Sequence, residues 1–197
     1  MPRTSRFHKQ FRAFWNANSR LLLFLTLVLT GVVAGCVWYA RFPAEYRPLL
    51  AFFEQSEGGF SGFSETLFAF LRHSLVTLSA VGLLMLGGMS LCGLPLTLVI
   101  PLVYGGAWGL YLTSVTQNRG IVALALTLPE ALIAVWTVLI ACAEALRLTL
   151  RLVSLVMPGS QKSGLWRDFR LFFLRFLLCF LLALLASAVG TTLAVLF

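Results

Sequence analysis

The chain has 197 residues, of which 59% are hydrophobic and only 11% are charged, and its mean hydropathy is +0.92. A soluble domain carries about 25% charged residues, so this composition excludes a water-solvated globule and indicates a chain solvated largely by lipid. We attribute the net charge of +8 to basic residues that set the membrane topology and face anionic lipid. A nucleic-acid-binding surface is not expected, because most aromatic residues lie inside apolar runs.

Residues 1–20 carry basic side chains and no acid. Phe7, Phe11, Phe14 and Trp15 recur at helical spacing, which is typical of a short helix lying in the membrane interface. We therefore expect residues 1–20 to form a basic interfacial segment on the cytoplasmic side.

Residues 21–40 form an uncharged run long enough to cross a hydrocarbon core of about 30 Å. Gly31 and Gly35 form a GxxxG pair, which predicts close approach of another helix. The sequence from Val33 to Cys36 also resembles a lipoprotein cleavage box. We expect the segment to be kept as a span, because further spans already anchor the chain and a lipid would add little.

Residues 41–72 are the one sizeable polar segment between spans, and they hold four of the seven acids. The pattern predicts two short amphipathic helices, at 48–55 and 64–72, on the outer surface of the membrane. This segment also offers the largest non-membrane surface on its side. The phenylalanines expected to form an outer partner surface are Phe52, Phe53, Phe60 and Phe63.

Residues 74–118 contain no charge and are too long for one span. We predict two spans, 74–92 and 96–115, joined by a tight hairpin at Gly93-Leu94-Pro95. Small residues in this region predict close helix packing or, alternatively, oligomerisation. The residues expected to serve this packing are Gly87, Gly88, Gly93, Pro95, Gly105 and Gly109.

Residues 121–146 are the predicted fourth span, and they include Pro129 and Glu130. A carboxylate inside the membrane costs about 2.5 kcal/mol or more, so Glu130 must be protonated, paired or facing a polar cavity. One interpretation is a proton or ion relay or a contact with a partner helix; the other is a hydrogen bond inside the bundle. Glu144 is expected to pair with Arg147 on a solvated helix face.

Residues 147–175 are predicted to form a basic loop, and residues 176–197 a fifth uncharged span. The N-terminal segment and this loop together hold eleven of the fifteen Lys and Arg residues. With about five spans, these two basic regions lie on the same side of the membrane, and the positive-inside rule predicts that this side is cytoplasmic. The predicted fold class is therefore an all-α polytopic bundle, forming a single transmembrane domain over residues 21–197, with the N-terminus inside and the C-terminus outside.

The sequence carries no pattern typical of an enzyme. It lacks a Ser/His/Asp set, a phosphate loop with its lysine, and an HExxH motif. The four cysteines each lie in an apolar run and indicate small buried hydrophobes rather than metal ligands. We therefore expect no catalytic residue, no metal and no cofactor.

The central hairpin resembles the stage II sporulation protein M family. The resemblance rests on the run from Gly87 to Pro95, on Tyr104-Gly-Gly-Ala-Trp-Gly109, on Asn118-Arg-Gly120 and on the Leu128-Pro129 step. It covers most of the chain in pattern and about 60 residues in detail. Glu130 departs from the family pattern, in which a neutral polar residue or His follows the proline.

The resemblance implies a five-span, non-catalytic subunit of the cell membrane that anchors peptidoglycan-remodelling enzymes during forespore engulfment. Its implied partners are a membrane-anchored cell-wall amidase and a peptidoglycan-cleaving protein, besides membrane lipid. The alternative is a permease-like subunit of a transporter, with Glu130 in the translocation path and an ATPase on the basic region.

Overall fold

The computed structural model describes residues 3–42, 45, 63–90, 93–156 and 165–196. Within these ranges the regular structure is entirely helical, which confirms the predicted all-α membrane bundle. The helices are α1 (Arg3–Arg41), α2 (Phe63–Gly88), α3 (Gly93–Val156) and α4 (Leu165–Leu196).

The backbone of α3 leaves helical geometry at Gly120, where φ is 82° and ψ is −174°. Only glycine adopts this region without strain, and the break lies between the predicted spans 96–115 and 121–146. The two arms are called α3N (Gly93–Asn118) and α3C (Gly120–Leu155). The backbone of α3 keeps helical dihedral angles at Pro129.

Four stretches among the described residues are long and apolar enough to cross a membrane. The apolar part of α2, Ser74–Gly88, is shorter than these. The count of five spans therefore stays a prediction. The four long stretches are Asn18–Arg41, α3N, α3C and Trp166–Leu193.

Two predicted surface helices are parts of longer helices. Residues 3–20 continue without a break into the first span as α1, and residues 64–72 continue into the next as α2. The prediction of separate helices there was wrong, because neither junction contains a glycine or proline that would end a helix. The helix predicted at 48–55 lies outside the described residues.

The basic segment 147–175 is mostly helical rather than a loop. Helix α3 continues to Val156 and α4 begins at Leu165. The helices extend this far because apolar residues such as Leu148 and Phe172 remain buried on the inner face, while Arg147 and Arg170 are exposed.

The turn between α2 and α3 lies just before the predicted hairpin. The amide of Ser90 donates to the Gly87 carbonyl at 2.9 Å, and the amide of Gly93 donates to the Ser90 carbonyl at 3.1 Å. Pro95 falls in the first turn of α3 rather than at the tip, because proline is tolerated where a helix has unpaired amides.

Contacts between the helices fix their directions. Val28 lies against Gly105 and Val32 against Gly109, so α1 and α3N run parallel. The turn at Gly88 packs on Ala145, where α3C returns. We call the end of the bundle that holds Arg20, the α2–α3 turn and the start of α4 the basic end. The other end holds Arg41, Gly120 and the end of α4.

The interior is filled by large apolar side chains contributed by all four helices. Each is essentially inaccessible, and together they close the space between the helices. Prominent members are Phe24, Val28, Val81, Leu84, Val138, Leu139 and Phe176.

Candidate functional site

The GxxxG motifs at Gly31–Gly35 and Gly105–Gly109 meet each other. A Cβ at Gly105 would collide with the carbonyl oxygen of Val28 and lie 3.0 Å from its carbonyl carbon. A Cβ at Gly31 would collide with the backbone of α3N in the same way. Lipid supplies no hydrophobic drive for helices to associate, so such backbone contact provides the packing that holds them together.

Gly35 and Gly109 extend the same contact by one helical turn. A Cβ at Gly35 would meet the Gly106 carbonyl, and a Cβ at Gly109 would meet that of Val32. The thiol of Cys36 donates to the Gly109 carbonyl at 3.5 Å. The four glycines Gly31, Gly35, Gly105 and Gly109 form what we call the glycine interface.

The remaining packing glycines lie at the α2–α3 turn. A Cβ at Gly88 would lie 3.0 Å from the Cα of Ala145, and one at Gly93 would meet the Thr149 hydroxyl. Thr149 donates to the Ala145 carbonyl at 3.0 Å and lies 3.4 Å from that of Gly88. Gly87 faces only the flexible side chain of Leu96.

Glu130 is buried inside the bundle, with 4% of its surface exposed. Its carboxylate lies directly against Gly190 of α4, at a point where a Cβ on Gly190 would overlap it. Pro129, the other residue of the predicted intramembrane site, is exposed on the outer face of the helix. The structure therefore separates the two, and Gly190 replaces Pro129 as the neighbour that shapes the site.

Tyr104 is a buried polar residue near Glu130. Its hydroxyl and that of Thr77 share a hydrogen bond of 3.0 Å, and its ring packs edge-on against Trp108, with the ring centroids 6.5 Å apart. Thr127, three residues before Glu130, donates to the Leu124 carbonyl of its own helix at 2.9 Å.

Glu144 lies on nearly the same face of α3C as Glu130, four helical turns further on. Its main partner is Arg175 of α4, whose Nη1 donates to the two carboxylate oxygens at 2.5 and 2.6 Å. The expected partner Arg147 lies 3.9 Å away. One turn nearer the basic end, Arg151 pairs with Asp168 at 3.2 Å.

Sequence reasoning missed Gly190, Arg175 and Asp168 as site residues. Gly190 stands in an apolar run with no motif around it, and the Glu144–Arg175 pair joins residues 31 positions apart. The spacing of Glu130 and Glu144 could have shown that both face one neighbouring helix.

Phe52, Phe53 and Phe60 lie outside the described residues, and Phe63 is the first residue of α2. The outer partner surface therefore stays a prediction. Among the described residues, no group of three His, Cys, Asp or Glu side chains lies close enough together to hold a metal ion.

A family model described as Stage II sporulation protein M matches residues 21–193. A search of curated proteins and a search of solved structures found no match. The family match spans most of α1 and reaches nearly to the end of α4, and it confirms the resemblance drawn from the central hairpin. This chain is a membrane protein that belongs to the stage II sporulation protein M family.

Proposed function

We propose that this protein is a non-catalytic membrane scaffold that anchors and localises peptidoglycan-remodelling enzymes during engulfment of the forespore. Membership of a sporulation family supports a role in this process. The partners that the proposal requires are a membrane-anchored cell-wall amidase and a peptidoglycan-cleaving protein, and the cell membrane is the location, crossed several times.

The closed interior of the bundle is the observation that supports a scaffold best. Glu130 is the one charged side chain among the buried residues of the described part, and it is enclosed between α3 and α4. A permease would require several polar groups along a water-accessible route. In the described ranges the largest buried side chains are apolar, among them Leu84, Leu139 and Phe176. Buried hydroxyls such as those of Thr137 and Thr191 donate to carbonyls of their own helices.

Purification of the full chain in a mild detergent, with identification of the co-purified proteins, tests the proposal. We expect peptidoglycan hydrolases in the complex. A stoichiometric ATPase in their place would overturn the scaffold and establish the permease-like alternative.

The outer phenylalanines give a sharper version of this experiment. Replacing Phe52, Phe53, Phe60 and Phe63 with alanine is expected to remove the hydrolases from the purified complex without reducing the yield of the protein. The matched control is Phe173→Ala, which removes an exposed phenylalanine near the basic end. Equal loss of hydrolases in both variants would show that the outer segment does not hold them.

Glu130→Gln separates the two functions further, because it removes the charge while keeping the shape. A scaffold retains its partners and its role in sporulation with this change. A relay that moves protons or ions through Glu130 would lose activity.

Reporter fusions at Gly58 and after Phe197 test the topology, and both are expected to report the outside.

A further inference from the structure

A groove of about 490 Å³ opens at the basic end of the bundle. It lies between the start of the first span, the end of α3C and the start of α4. Five arginines and two carboxylates line it, so positive charge dominates. The charged lining residues are Arg20, Arg147, Arg151, Arg167, Arg175, Glu144 and Asp168.

Both carboxylates of the groove are already engaged. Glu144 is held by Arg175 and Asp168 by Arg151. Arg20 and Arg167 line the same groove, and neither has a carboxylate partner within the part of the chain that the structure describes. The groove therefore retains guanidinium groups that can bind an anion.

Apolar residues border these arginines on the membrane side. Leu150 and Leu171 line the groove and are also exposed on the outside of the bundle. Trp166, beside Arg167, is 84% exposed at the start of the last span. Tryptophan at such a position is typical of the headgroup level of a bilayer.

From this arrangement we infer that the groove binds the phosphodiester headgroup of an anionic phospholipid, with the acyl chains lying along the exposed leucines. Guanidinium groups bind phosphate oxygens in a planar, two-pronged geometry. Basic pockets between transmembrane helices on the cytoplasmic side are a known kind of lipid site. This inference goes beyond the scaffold function and does not depend on it.

A lipid fits the groove better than a soluble phosphate compound does. The cationic groups and the exposed leucines lie side by side at the level where the helices leave the apolar layer. A soluble anion would use only the arginines, whereas a phospholipid uses both surfaces.

Native mass spectrometry of the full-length protein, in detergent with phosphatidylglycerol or phosphatidylcholine, tests this inference. The protein is expected to retain phosphatidylglycerol preferentially. Arg167→Gln is expected to weaken that binding about fivefold, and Arg20→Gln combined with Arg167→Gln about 25-fold, since each basic residue near the headgroup contributes about this factor.

The matched control is Arg170→Gln, which removes an exposed charge from the same end of α4 but outside the groove. It is expected to leave binding unchanged, and the thermal stability of all three variants is measured alongside. Equal weakening by Arg167→Gln and Arg170→Gln would overturn the site and indicate a general surface charge.

Two other results would also overturn it. Displacement of phosphatidylglycerol by soluble glycerol phosphate at equal concentration would make the groove a site for a soluble anion. Retention of phosphatidylglycerol by the double variant, together with loss of a co-purified acidic protein, would make it a protein-docking surface.

Discussion

Where α1 meets α3N, four glycines let two parallel backbones touch, and no charged group takes part. Where α3C meets α4, Phe172 and Phe176 fill the contact and ion pairs join its basic end. The first contact depends on close backbone packing and has no room for a side chain at its four glycines. The second combines apolar packing with ion pairs at its basic end.

At Glu130 and Gly190, a buried carboxylate and close packing against a glycine occur in the same contact. A carboxylate on α3C is accommodated because α4 offers a glycine opposite it. Glu144, on the same face of the same helix, is accommodated by Arg175 instead. Two identical side chains on one helix thus have different neighbours on α4, a glycine that leaves room for Glu130 and an arginine that pairs with Glu144.

Gly105→Ala is expected to have the largest effect on stability, because the new methyl group would meet the backbone of Val28, which cannot move aside. We expect the free energy of unfolding, measured by denaturant titration in mixed micelles, to fall by about 3 kcal/mol. Gly106→Ala is the matched control, since its Cβ would come no closer than 3.8 Å to α1. Similar losses in both variants would contradict the glycine interface as the cause, since helix propensity alone favours alanine over glycine at both positions.

Gly190→Ala is expected to cost about 2 kcal/mol, because the methyl group would displace the buried Glu130 carboxylate. Glu130→Ala should recover most of this loss in the double variant, which a double-mutant cycle of unfolding free energies measures. Additive effects of the two changes would mean that Gly190 and Glu130 do not share one site.

Arg175→Gln tests the charged part of the α3C–α4 contact. The Glu144 side chain is 20% exposed and that of Arg175 is 38% exposed, so the pair lies between a surface and a buried ion pair. We expect a loss of about 1.5 kcal/mol in unfolding free energy, reduced at high salt. Arg170→Gln, an exposed position on the same helix, is expected to be neutral, and an equal loss there would refute the pairing.

Gly120→Ala tests the turn between α3N and α3C. Of the four test substitutions, it is expected to have the smallest effect on stability. No atom lies near its Cβ position, so the cost is the strain of a positive φ, about 1 kcal/mol. Gly82→Ala is also free of contacts but lies within the α2 helix, where alanine is favoured. The melting temperature should therefore fall for Gly120→Ala and rise for Gly82→Ala. A shift in the same direction for both variants would contradict this account.

Local patterns in the sequence predicted local structure well. The uncharged runs predicted the helices, and the gap between the predicted spans 96–115 and 121–146 contains the turn at Gly120. Helix ends were predicted less well. Residues 3–20 and 64–72 continue into α1 and α2 because no residue in either stretch stops a helix.

Partners across the bundle could not be predicted in the same way. The GxxxG pattern at Gly31 and Gly35 indicates a close neighbour but does not say which helix supplies it. Gly190 has no motif, since its importance comes from Glu130, which is far from it in the sequence. Arg175 is one of six basic residues in its region, and only the packing of α4 selects it for Glu144.

The parallel contact of α1 with α3N also sets an order of events during synthesis. The glycines of α1 enter the membrane first, but their partners at Gly105 and Gly109 are made only after residues 43–62 and the whole of α2. The face of α1 that carries Gly31 and Gly35 is therefore covered by lipid or by another protein until α2 and α3N have been inserted. A nascent chain that stops before residue 105 therefore carries the glycines of α1 without their partners on α3N.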